Sequence, residues 1–229
     1  MKKEKLLGVY RLMIVLVGWF GIMGSFTMKI ITRAQGESAA MALLDSISHY
    51  TIQTNLLVLI WITCALMYWI KKGKVKTDNS VLKTGITMYI TFTFVIYALM
   101  LQGLWSPTGI KSVLAFITHY ITPVAFIIDW LACELINGKQ TKKNYKNAVK
   151  WLIYPSCYVI YVMIYGKITG KYMYPFLHVP SIGYSGVFMR VFILSILFFL
   201  MGMFYIKCNS IIQGRKSRIL KSKNNEISR

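Results

Sequence analysis

Thr51 and His119 are the two residues whose types suit nucleophilic chemistry in this chain. A threonine hydroxyl is a poor nucleophile until a base takes its proton, and a histidine within hydrogen-bond reach does this near neutral pH. Thr51 lies in the stretch SISHYTIQTNLLVLIW, with Asn55 four residues on and on the same helix face. His119 lies in SVLAFITHYITPVAFIIDWLACELI. If that helix enters near Ser112, helical rise puts His119 roughly 10 Å below the surface. Thr51 and Asn55 reach similar depths from the same side, so a Thr–His contact across a bundle is geometrically allowed. Asn55, Gln102 or a tyrosine could steady an oxyanion. Arg190, in the last apolar segment, could attract a carboxylate or phosphate headgroup, or simply snorkel to the headgroup layer. The competing reading of Thr51, Asn55 and His119 is helix packing, where such contacts are worth about 0.6 kcal/mol each.

Other polar residues complete the inventory. Pro123 has no N–H to offer the carbonyl of residue 119, so a kink and a freed His119 carbonyl are expected. Asp129 is an intramembrane acid and thus a functional candidate by default. It lies about 15 Å along the axis from His119, too far to orient that imidazole, and a structural role for it is favoured. Glu134 lies nearer the helix end. The Tyr-rich stretch GKITGKYMYPFLHVPSIGYSG could cover a pocket, or form an interfacial aromatic belt, and it supplies His178. A haem held by His49 and His119 would need the two at one depth, and helical rise sets them apart.

These residues need a scaffold, and composition says which. Of 229 residues 56% are hydrophobic and 15% charged, with a mean hydropathy of +0.53. A soluble chain would carry about one quarter charged residues. Six apolar segments are read at about residues 7–28, 50–70, 82–103, 112–136, 148–165 and 184–206. Each is long enough to cross ~30 Å of hydrocarbon at ~1.5 Å per residue, the fifth only just. The expectation is an all-α, polytopic membrane domain over residues 1–206, followed by a basic tail over 207–229 that is disordered or lies on the membrane surface. No internal repeat or soluble domain is read.

Of the 27 Lys and Arg residues, 21 fall at the N-terminus, in the second and fourth connectors and in the tail. That count includes Arg11 and Lys83. The other side keeps Lys29, Arg33, Lys111, Lys167, Lys171 and Arg190, in or beside loops 29–49, 104–111 and 166–183. The positive-inside rule then places both termini in the cytoplasm.

The net charge of +20 would suggest nucleic acid in a soluble protein, but here it sits in short connectors facing an anionic leaflet. Nucleic acid is therefore not expected as a partner. Cys64, Cys133, Cys157 and Cys208 show no CxxC spacing, so neither a disulfide framework nor a metal site is read. The basic, apolar N-terminus lacks a small-x-small cleavage site and reads as an uncleaved first helix.

The stretch from Tyr50 to Leu57, with His119-Tyr120-Ile121-Thr122-Pro123, Asp129-Trp130 and Tyr174-Pro175-Phe176-Leu177, resembles the Pr6Pr family of bacterial six-helix membrane proteins. That family is distantly similar to the androgen-induced and androgen-dependent transmembrane hydrolases, which cleave fatty acid esters of hydroxy fatty acids. The resemblance implies Thr51 as nucleophile and His119 as base, with Thr54 a rival for the first role. The usual acid at the end of the loop motif stands here as His178. A bacterial plasma-membrane lipid-ester hydrolase is implied, with membrane lipids as partners, a fatty ester as substrate, and no metal or cofactor. The alternative is a non-enzymatic membrane protein, such as a small transporter or a binding partner.

Overall fold

The computed structural model describes residues 2–74, 81–137 and 144–227, with side chains over 4–74, 81–135 and 144–215. Connector lysines 76, 139, 142 and 143, and the tail side chains from Lys216 onward, lie outside the described residues. Among those described, the structure is all-helical. The helices are α1 (Lys2–Ile31), α2 (Ala39–Ile47), α3 (Tyr50–Lys72), α4 (Val81–Ile96), α5 (Ile110–Phe116), α6 (Thr122–Asn137), α7 (Lys146–Trp151), α8 (Ile153–Thr169) and α9 (Val179–Ile227). Two π turns, Tyr97–Leu101 and Ile117–Ile121, extend α4 and join α5 to α6.

Six helical stretches are long and apolar enough to cross a membrane: Glu4–Ile31, Tyr50–Lys72, Val81–Leu101, Ile110–Leu135, Lys146–Thr169 and Val179–Arg215. An even number of crossings returns the chain to the face where it began. The opposite face carries α2 and the loop 170–178, and is called the α2 face below. The outward surface is apolar, with Leu6, Leu99, Ile168 and Phe188 each more than 70% exposed. In water such a surface would drive aggregation; against hydrocarbon it costs nothing, because each helix satisfies its own backbone.

The core is built where four spans meet. Ile22, Val58, Leu59, Ile62, Ile90 and Phe126 pack α1, α3, α4 and α6 together. A second cluster of Met88, Trp130, Trp151, Phe198 and Tyr205 attaches α7 and α9. Small residues let α1 approach the fourth span closely. A Cβ at Gly21 would lie 2.6 Å from Ile117, and one at Gly24 2.6 Å from Leu114.

Several sequence expectations need correction. Loop 29–49 contains a helix, α2, whose start is capped by Ser38 Oγ accepting from Met41 N at 3.1 Å. The fifth span is broken at Leu152, because Pro155 has no N–H for the carbonyl four residues earlier. The last span continues through residue 206 as helix to Ile227, bent at Gly183 (φ 65°), so the basic tail is helical rather than disordered. After Gly214 no Gly or Pro interrupts that tail, and its Lys, Arg and Glu are good helix formers.

Arg11 and Lys83 are not connector charges. Arg11 Nε lies 2.7 Å from Asp129 Oδ1, and Lys83 Nζ lies 2.7 Å from Asp129 Oδ2. All three residues are buried, and both cations also reach Cys133 Sγ, at 3.0 and 3.2 Å. Beside them the buried Glu134 accepts from Asn209 Nδ2 (2.7 Å) and Gln213 Nε2 (2.8 Å). Asp129 therefore joins the first, third and fourth spans. Two of the cations counted toward orientation serve this pairing inside the bundle instead.

Candidate functional site

The second π turn is what presents His119. In an α-helical register Pro123 would leave the His119 carbonyl without a donor. Here Thr122 N bonds Ile117 O instead of Thr118 O, which leaves a vacancy at the carbonyl of Thr118. Asn55 fills it: its Nδ2 donates to Thr118 O at 2.9 Å and to its own helix at Thr51 O, at 2.8 Å. Both amide hydrogens of Asn55 are thus spent on carbonyls, and its buried Oδ1 has no partner. In this arrangement Asn55 braces the turn and has no hydrogen left for an oxyanion. Asn55→Leu is expected to lower stability by about 1–3 kcal/mol, by orphaning the Thr118 carbonyl. Thermal unfolding in detergent checks this, and an unchanged midpoint would mean the carbonyl finds another donor.

His119 Nδ1 lies 2.9 Å from the carbonyl of Ala115. A carbonyl only accepts, so Nδ1 carries the proton and Nε2 the lone pair. The ring stacks on Tyr97 of the other π turn, with centroids 3.7 Å apart, and meets the edge of Trp105. His49 repeats this arrangement one helix away, its Nδ1 bonded to Asp45 O at 2.9 Å. The two imidazoles line a single cavity of about 530 Å³ together with Thr51. That cavity belongs to the α2 face. Among the described residues no group of three or more His, Cys, Asp or Glu could hold a metal ion.

Thr51 is placed differently from Thr54. Thr54 is fully buried, donates within its helix to Tyr50 O (2.9 Å) and bonds the Thr93 hydroxyl at 2.9 Å. It lines neither cavity of this region. Thr51, Leu101 and Tyr174 instead form the wall shared by the polar chamber and an apolar groove between the third, fifth and sixth spans. The groove is lined by Phe92, Ile96, Val159, Leu177, Leu194 and Phe198, among others. On its wall the buried Tyr50 hydroxyl has no hydrogen-bond partner among the described residues.

Loop 170–178 completes the site. The Tyr174 hydroxyl faces the Thr51 hydroxyl and the backbone N–H groups of Tyr50 and Thr51, at the positive end of α3. Burial raises the Tyr174 phenol above its ordinary value against the pull of those donors, so it stays protonated at neutral pH. Lys171 ties the loop to α2, bonding Asp45 at 2.6 Å and Glu37 at 2.7 Å. The Tyr165 hydroxyl also donates to Asp45. Burial alone would raise the Asp45 carboxyl, yet these donors hold it below its usual value. Tyr158 bridges the start of α3, accepting from Tyr50 N (3.1 Å) and donating to Ser48 O (2.9 Å).

The remaining sequence candidates lie elsewhere. Gln102 is exposed and accepts from the Tyr120 hydroxyl. Arg190 is exposed on the outward side of α9, and His178 bonds Ser181 Oγ at the start of that helix (2.6 Å). None of the three lines the chamber.

His49 gives the site a pH signature. Burial is the largest influence on it and depresses its pKa; the nearby Lys29 adds to this, while the Asp45 and Ser46 carbonyls and the Asp45 charge oppose it. A depressed histidine contributes stability that is complete above the unfolded value of about 6.5 and is lost as pH falls through the folded value. The melting temperature is therefore expected to drop more steeply below pH 6.5 in the wild type than in His49→Gln. Parallel curves would show that His49 is solvated.

Fold and site together define an all-helical protein with six helices able to cross a membrane and a polar chamber at one face. Comparison with protein-family models, curated proteins and solved structures returns no match, so the chemistry must be read from the site itself.

Proposed function

We propose that this chain is a plasma-membrane lipid-ester hydrolase of the bacterial Pr6Pr type, with Thr51 as nucleophile and His119 as general base. The observation that carries this reading is the position of Thr51 on the wall common to the polar chamber and the apolar groove. A fatty ester is divided in the same way, an apolar chain on one side of the carbonyl and a polar group on the other. With the acyl chain in the groove and the headgroup in the chamber, the ester carbon comes to Thr51. The excess of Lys and Arg on the face of the termini orients the protein with both ends cytoplasmic, so the chamber opens outward.

His119 takes the Thr51 proton on Nε2, its Nδ1–H held by Ala115 O so that the tautomer is correct. The alkoxide adds to the carbonyl, and the charge that develops on oxygen meets the Tyr174 hydroxyl and the Thr51 N–H at the start of α3, the Tyr50 N–H being held by Tyr158. The orphan Tyr50 hydroxyl supplies a further donor on the groove side. Collapse expels the alcohol, which takes the proton from His119. Water then repeats the sequence on the acyl-threonine and frees the fatty acid.

The test is fatty-acid release from a panel of long-chain esters by purified protein, beside Thr51→Ala and His119→Ala. Activity present in the wild type and lost in both variants supports the reading. A wild type inert across the panel, or two variants of full activity, sinks it. Thr51 and His119 would then be packing groups of a non-enzymatic membrane protein.

A further inference from the structure

We propose that the polar chamber selects its lipid by a phosphate-bearing headgroup, held by Lys29 and Lys111. This deepens the hydrolase reading by naming the substrate class, and it rests on that reading for the reaction but not for the binding.

The wall of the chamber is one-sided in charge. Lys29, Lys111, His49 and His119 line it, and no Asp or Glu does so among the described residues. The acids of this face are occupied: Glu37 and Asp45 both bind Lys171, and Asp45 also accepts from Tyr165. Lys29 keeps only a long contact of 3.8 Å to Asp45 Oδ2, with its side chain 38% exposed. Lys111 Nζ rests on a neutral group, donating to Thr32 Oγ1 at 3.1 Å. Two ammonium groups thus reach the chamber with little negative charge to balance them, and an anion entering it is attracted by both.

The donors suit phosphate. The wall offers compact ammonium charges and the hydroxyl-bearing Ser46, and no arginine among the described residues; the Ser25 and Thr32 hydroxyls on it donate to carbonyls of their own helix. Arginine presents a planar fork that matches a carboxylate in two parallel bonds; lysine acts as a point charge and is a common partner of phosphate. A phosphodiester has two unesterified oxygens, one for each ammonium, and a further acceptor for the Ser46 hydroxyl.

The experiment measures binding to Thr51→Ala protein in nanodiscs, so that no turnover is required. The probes are lysophosphatidylglycerol, monooleoylglycerol and oleate, with inorganic phosphate as a competitor. Lysophosphatidylglycerol is expected to bind about tenfold more tightly than the phosphate-free monooleoylglycerol at low salt, an advantage that shrinks as salt screens the lysines. Lys29→Gln and Lys111→Gln should each remove most of that preference. Lys167→Gln, an exposed cation that does not line the chamber, should leave it intact.

Equal binding of lysophosphatidylglycerol and monooleoylglycerol would overturn the proposal, and an equal loss in Lys167→Gln would overturn it by showing only surface attraction. Oleate binding as tightly as lysophosphatidylglycerol would overturn the phosphate preference. Displacement by inorganic phosphate at matched concentration would overturn the lipid as its source. Failure of ester turnover, by contrast, would touch the hydrolase reading and leave this selectivity standing.

Discussion

Thr51→Ala is expected to lower ester turnover by on the order of 10³–10⁶-fold, the range seen when a hydroxyl nucleophile is removed from an acyl-transfer site. The folded state should respond far less, since the Thr51 side chain borders a cavity on either side and loses mainly the contact of its hydroxyl with Tyr174. Thr51→Ser keeps the hydroxyl and should recover a measurable part of the rate; Thr54→Ala should spare chemistry and act on stability, through its bonds to Tyr50 and Thr93. His119→Ala should fall by about 10²–10⁴-fold, the usual worth of a positioned base. Initial rates on one long-chain ester, with melting temperatures recorded beside them, separate these outcomes. Should Thr51→Ala keep its rate while Thr54→Ala loses it, the nucleophile would be the wrong threonine and the shared-wall argument would fail.

Asp129→Ala carries the largest expected effect on stability, a loss of about 3–5 kcal/mol. The substitution leaves Arg11 and Lys83 buried with the carboxylate between them gone. The pairing need not be favourable over an apolar core for this to hold, because the cost comes from the partners left behind. Replacing the three together (Arg11→Met, Lys83→Met, Asp129→Leu) should restore the stability of the wild type or exceed it. Unfolding midpoints in detergent distinguish the cases. If Asp129→Ala melted with the wild type, water would have to reach the cluster, and its reading as a dry joint between three spans would be wrong.

The cluster also shows what one-dimensional reading misses. Arg11 and Lys83 sit at the ends of apolar runs, where a topology-setting cation and a buried partner of Asp129 look the same. Only packing separates them, by bringing α1, α4 and α6 together at one level. Asn55 is a similar case. The polar residue four positions after Thr51 was visible, but its use depended on a carbonyl 63 residues away that a π turn had left open. Pro123 marked that neighbourhood in the sequence, though not that Asn55 would cap the Thr118 carbonyl.

Six membrane-length apolar helices were legible from the sequence, because hydrocarbon thickness and backbone hydrogen bonding admit few alternatives for runs of such length. So was the separation of charge between connectors. The candidate residues Thr51 and His119 were legible as types, since a polar side chain in an apolar run stands out by its cost. Which threonine faces a cavity, which cations pair inside, and which tyrosine reaches the start of α3 were decided by the tertiary structure alone. Each depends on the rotation and spacing of helices set by distant contacts, such as Gly21 against Ile117. Local sequence fixes how a helix forms and how long it runs, while the direction in which a given side chain points is settled by what the other helices leave open.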